Sequence, residues 1–177
     1  MKKLLIPLFF IMFGFTGCES LSKMTQFDME FTQSVTIPTS TIVVLPIDIA
    51  TPDIETNSQS TFSAKKVDPK LIEKIALKKL QLNVTSPADG DFGFLKSIKI
   101  YITAEGLTEK KIAWLDDVPA NAGLTLELNV SKTDLKEFIL KDKFTLRVEA
   151  TTDETHTSEY KIDVKTVFMV DAKILGL

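Results

Sequence analysis

Acid–base and nucleophilic chemistry needs histidine, cysteine, hydroxyls and carboxylates converging in a pocket, and this chain is poor in the first two. It has one histidine, His156, and one cysteine, Cys18. His156 stands in TTDETHTSEY among polar neighbours, a setting that predicts a solvated loop side chain. A hydrolase would require His156 to meet a carboxylate and a nucleophile, and no serine occupies a GxSxG elbow. The seven glycines are scattered, without the spacing of a phosphate-binding loop.

Carboxylates occur in short pairs, of which Asp89 and Asp91, flanking Gly90, come nearest to a calcium loop. Calcium takes six to eight oxygen ligands, and the DxDxDG series with its distal glutamate is missing. The pair is therefore expected to be a plain turn with solvated carboxylates, as are Asp116 with Asp117 and Asp153 with Glu154. With one histidine and no spare thiol, zinc is less plausible still. No cofactor is expected. Aromatic side chains could stack on sugar rings, and Trp114, Tyr101 and Tyr160 are of the right type. Trp114, between Ile112 and a turn, is expected at the core or its edge. Tyr101, opposite Ile98, Ile100 and Ile102, is the surface candidate.

Cys18 follows MKKLLIPLFFIMFGFTG. A membrane-spanning helix needs about 20 consecutive apolar residues and a secretory leader about 7–15. The run Leu4 to Phe15 falls in the shorter class, Lys2 and Lys3 supply a positive start, and Pro7 suits a permanent span poorly. A cleaved leader is expected over residues 1–17. The stretch FTGC resembles the lipobox of bacterial lipoproteins: Gly17 and Cys18 match it, while Phe15 and Thr16 depart from its commonest first two residues. The resemblance implies a thioether diacylglycerol on Cys18, cleavage before it, and acylation (palmitate among the chains) of the new amino terminus. An acylated Cys18 is closed to thiol catalysis. Two or more acyl chains hold a protein stably on a bilayer, where one alone is marginal. Glu19 is not followed by an acidic run, so the expected location is the outer membrane, facing the periplasm.

With a single cysteine there is no disulfide to form, so the core must hold by packing. The chain carries a net charge of −3, and loss of the leader's two lysines leaves 19 basic against 24 acidic groups. That balance disfavours nucleic acid, and the interspersed signs show no basic face along the sequence.

The elements that must position these residues read mainly as strands. Phe27, Met29, Phe31, Val35 and Ile37 alternate with polar residues. Ile98 to Ile102, Leu124 to Val130 and Phe144 to Ala150 do the same. The run from Tyr160 to Leu175 alternates and then turns apolar on both faces at Val167 to Val170, which predicts a central strand or one that bulges and crosses between sheets. Asp68 as N-cap and Pro69 at the first helical position predict one or two helical turns before LIEKIALKK. Thr133 or Asp134 could cap a second helical turn carrying Leu135, Phe138 and Ile139. The longest irregular stretch is IATPDIETNSQSTFSAKK.

Such spacing predicts a mainly β fold, an antiparallel sandwich of about seven to nine strands with one or two short helical turns. The pattern is similar to immunoglobulin-like and jelly-roll domains. The expected organisation is a signal peptide over 1–17, a lipidated tether over 18–24 and one domain over 25–177. Functionally this predicts a noncatalytic, membrane-anchored envelope lipoprotein with a protein partner. The alternatives are a carrier of a sugar or hydrophobic small molecule, and a hydrolase.

Overall fold

The computed structural model describes residues 26–41, 44 and 46–173. Cys18 and the leader and tether expected over residues 1–24 lie outside the described residues. Among the described residues ten strands form two antiparallel sheets. One sheet is built from β1 (Gln26–Ile37), β10 (Tyr160–Ala172), β4 (Ile72–Ser86) and β7 (Thr125–Glu127), in that order. The other runs β2 (Pro46–Ala50), β9 (Lys143–Thr152), β5 (Leu95–Thr103), β6 (Lys110–Leu115) and β8 (Asn129–Val130), with β3 (Ile54–Glu55) also pairing β9. The chain is therefore a β-sandwich. Its strand number exceeds the expected seven to nine because β3 and β8, two residues each, are too short for alternation to announce.

Alternation buries the faces it marks. Ile98, Ile100 and Ile102 on β5 and Phe144, Leu146, Val148 and Ala150 on β9 are all buried, while Lys99, Tyr101, Thr145 and Arg147 point the other way. The two sheets meet at a ring cluster of Phe31 on β1, Phe168 on β10 and Phe144 on β9. Its centroids are 5.3, 5.8 and 5.9 Å apart, all in edge contact, the geometry aromatic quadrupoles favour. Pro46, which cannot donate a ladder hydrogen bond, begins the edge strand β2.

β10 is the central strand between β1 and β4, which is why Val167 and Phe168 are both buried. It does not cross between sheets. The crossing belongs to Leu124–Val130, where one half-buried strand was expected. The Leu128 N–H donates to Leu80 O of β4 at 3.1 Å, and the Ser131 N–H to Ile112 O of β6 at 2.7 Å. The chain is thus bonded to one sheet before Leu128 and to the other after it, and Leu124 is left exposed.

The helical turns also fall differently. Asp68 caps as expected, its Oδ1 accepting from the Lys70 N–H at 2.9 Å, but only one 3-10 turn (Pro69–Leu71) forms and LIEKIALKK enters β4 at Ile72. The near-helical apolar spacing there has another cause. Opposite Leu77 and Lys79 the ladder passes directly from Phe168 to Val167, so Lys78 is an extra residue that breaks the period of two. In the second segment α2 (Lys136–Ile139) forms, with Leu135, Phe138 and Ile139 buried. Asp134 Oδ1 accepts from the Lys136 N–H at 3.0 Å and from the Ile75 N–H of β4 at 3.1 Å, so the cap also ties the helix to the sheet. The stretch expected to be irregular holds β3 and a further helix, α1 (Ser58–Ala64). α1 is anchored by Phe62, which is 1% exposed and in edge contact with Phe27 at 6.1 Å. A single apolar residue in a polar run carries almost no periodic signal, so tertiary packing decided this helix.

Candidate functional site

A recess of about 240 Å³ opens at the end of the sandwich where β4 stops and β10 begins. Two loops frame it, one carrying Asp89, Gly90 and Asp91 and the other Glu154, His156 and Ser158, with Phe94 and Tyr160 as its floor. Asp89 and Asp91, paired in sequence, are thereby brought to His156, distant in sequence.

His156 overturns its expectation of a solvated side chain, being 5% exposed. Its backbone exchanges two hydrogen bonds with Ser40, at 2.9 and 3.0 Å. Its ring lies 4.9 Å from the Phe94 ring and 5.6 Å from that of Tyr160. Nδ1 is 3.2 Å from the carbonyl oxygen of Ser158. A carbonyl can only accept, so we assign a proton to Nδ1. Nε2 is buried and has no partner among the described residues. A catalytic triad would turn Nδ1–H toward a carboxylate; here it is turned toward a backbone carbonyl.

The carboxylate loop is shaped by close approach. A Cβ on Gly90 would lie 2.9 Å from Cε1 of Tyr160 and 3.0 Å from Cδ of Pro87, so only glycine lets the backbone pack on that ring. Asp91 Oδ1 accepts from the Gly93 N–H at 2.8 Å, which commits that oxygen to the turn. Burial, joined by the carboxylates of Asp91 and Asp89 and opposed by the Asp91 backbone N–H, raises the Tyr160 hydroxyl above the ordinary tyrosine range. Among the described residues no three histidine, cysteine, aspartate or glutamate side chains gather into a metal-binding group. Asp89, Asp91 and Glu154 bring acceptor oxygens to the recess, so it suits a donor-rich cationic group.

The second arrangement lies on the outer face of the larger sheet and centres on Arg147, the chain's one arginine. Its guanidinium reaches Glu109 through two bonds, Nε to Oε2 at 2.8 Å and Nη2 to Oε1 at 2.7 Å. Nη1 lies 3.2 Å from both oxygens of Asp48, and the guanidinium carbon sits 4.3 Å from the centre of the Tyr101 ring. A planar fork can do both at once, which an ammonium cannot. Hydrogen bonding to Arg147 holds the Glu109 carboxyl below the usual glutamate range. The hydrogen bond from Lys99 (Nζ to Oε1, 3.0 Å) does the same for Glu149.

Tyr101 and Trp114 do share this face, since Lys99 is the register partner of Trp114 and Lys111 that of Tyr101. Trp114 is half-buried on the outside rather than in the core, because the irregularity after Ile100 buries Ile112 and Ala113 together and turns Trp114 outward. One face of each ring is already taken by a cation, Arg147 over Tyr101 and Lys111 Nζ over Trp114 at 5.2 Å. Arg147 was missed by sequence reasoning. Its signal was a lone arginine, among many lysines, at an outward position of an alternating strand.

The fold and its recess define a class, a β-sandwich domain with an acceptor-lined pocket among the loops at one end. No protein-family model matches the chain, and no curated protein matches it. A solved structure from Desmodium yellow mottle tymovirus aligns over 99% of this chain and 92% of that chain, with 11% identity and a TM-score of 0.23, a likeness too slight to carry any argument.

Proposed function

We propose that this chain is a noncatalytic, membrane-tethered lipoprotein of the bacterial envelope, whose domain recognises a partner protein through the recess at the loop end of the sandwich. Cys18, behind a short leader and within FTGC, supports the anchor. The observation that carries the recognition reading is the convergence of Asp89, Asp91 and Glu154 around a buried His156 whose Nε2 has no partner among the described residues. Such a lining takes a lysine or arginine side chain projecting from the partner. A carrier of hydrophobic molecules would need an apolar cavity, whereas this recess is lined mainly by polar side chains.

Crosslinking in the native membrane, followed by mass spectrometry, tests the proposal by comparing wild type with an Asp89→Asn, Asp91→Asn, Glu154→Gln variant. A protein neighbour captured by wild type and depleted about tenfold in the variant is expected, roughly the loss of one charge-assisted contact. An unchanged set of neighbours would rule out the recess as the recognition site.

A further inference from the structure

The end of the sandwich opposite the recess gathers basic side chains that the sequence scatters. Lys65 and Lys66 follow α1, Lys70 lies in the 3-10 turn, and Lys74 is on β4 next to Ile75. Lys173 is brought beside them by its backbone N–H, which donates to Leu71 O at 2.8 Å. All five are exposed. Lys65, Lys66 and Lys173 line one hollow with Gln26 and Phe27, and Lys65 Nζ stands 5.8 Å from the Phe27 ring centre. The acids of this end include Asp68, Glu73, Asp171 and Asp134, whose Oδ1 accepts from the Ile75 N–H beside Lys74, and Lys136, whose Nζ donates to the Ile72 carbonyl, adds a sixth lysine to the five. Of the five lysines only Lys173 is ion-paired among the described residues, to Glu73 at 3.1 Å.

Gln26, the first residue of β1, sits inside this collar. Eight residue steps separate it from Cys18, a reach of at most about 28 Å. The opposite end has the reverse balance, with Asp89, Asp91, Asp116, Asp117, Asp153, Glu154 and Glu159 set against Lys96 and Lys161. Thirteen residues of β10 separate the two ends by about 40 Å. Screening at physiological salt acts over about 8 Å, so a surface touching the basic end does not feel the acidic one.

We infer that the lysine collar around Gln26 is a membrane-docking surface for anionic lipid headgroups, which stands the sandwich on the bilayer with the acidic recess pointing away. The inference rests on the lipid-anchor reading. Charge complementarity and the short tether both select the bilayer, because the collar is the surface the tether presents to it. The acyl chains hold the domain near the bilayer and the lysines fix its orientation.

Orientation is read by attaching an environment-sensitive label to Ser63→Cys, on α1 beside the collar, or to Thr157→Cys, at the recess end. The lipidated full chain is reconstituted in vesicles of phosphatidylcholine, with or without phosphatidylglycerol, that carry a headgroup quencher. With phosphatidylglycerol present, quenching at position 63 should exceed that at 157 by about threefold, and the excess should fall by about half in 0.5 M salt as the Debye length shortens. Lys65→Gln, Lys66→Gln and Lys70→Gln together should abolish the excess while Trp114 emission reports an intact fold. Equal quenching at both positions, or an excess indifferent to lipid charge, would overturn the inference while vesicle association persisted. Failure of wild type to incorporate labelled palmitate and to sediment with vesicles would instead overturn the anchor, so the two failures are distinguishable.

Discussion

Replacing Phe168 by alanine strikes the point where the two sheets meet. Phe168 is fully buried and touches Phe31 at 5.8 Å and Phe144 at 5.9 Å between ring centres. Truncating a buried phenylalanine costs about 3–5 kcal/mol in lost transfer energy and residual cavity. Taking about 4 kcal/mol, with a urea slope of about 2 kcal/mol/M, the midpoint should fall by about 2 M. That is a large share of the 5–15 kcal/mol typical of a domain. Trp114, the chain's one tryptophan, supplies the emission signal for urea titrations. A double-mutant cycle with Phe144→Leu and Phe168→Leu should reveal a coupling of about 0.5–1.5 kcal/mol, the worth of an edge-to-face pair beyond its burial. Strict additivity in that cycle, together with a Phe168→Ala cost under about 1 kcal/mol, would refute the facing of β9 on β10 from which the site geometry follows.

Cys18→Ser should leave a folded domain that moves from the membrane to the soluble fraction and takes up no labelled palmitate; a variant still sedimenting with membranes would contradict the anchor. Gly90→Ala should cost about 1–3 kcal/mol by overpacking, because its Cβ would press on Tyr160 and Pro87, and a midpoint equal to wild type would show that the loop has room to yield. Glu109 and Glu149 hold their protons less tightly in the folded state, their pKa values lying below the ordinary glutamate value because of hydrogen bonds from Arg147 and Lys99. Their contribution is present above the ordinary glutamate value of 4.5 and is lost as pH falls through the lower folded values. Thermal midpoints should therefore drop more steeply below about pH 4.5 in wild type than in Glu109→Gln, and parallel curves would count against the Arg147 network as the cause.

Much of the strand framework was legible because alternation is a local property. Phe144 to Ala150 and Ile98 to Ile102 announce which face is buried whatever lies across from them. The bulge at Lys78 mimicked a helical spacing, since an extra residue in a ladder is visible only from the partner strand. The crossing at Leu128 left no mark because both halves of the run alternate in phase. Within the site, the pairing of Asp89 with Asp91 could be seen, but their company could not. His156 sits in a polar string, and its burial follows from Ser40, Phe94 and Tyr160, all remote from it or facing it across a turn.

The sequence by itself determined what is chemically local: a single cysteine behind a short apolar run, with no second cysteine to pair it, and the alternating faces that make strands. Only the tertiary structure decided which charges keep company. Lysines from 65 to 173 meet at the end where β1 begins, and aspartates and glutamates from 89 to 154 meet at the other. Antiparallel pairing folds distant positions onto common ends, and electrostatic neighbourhoods depend on distances of a few ångströms in space, which order along the chain does not encode.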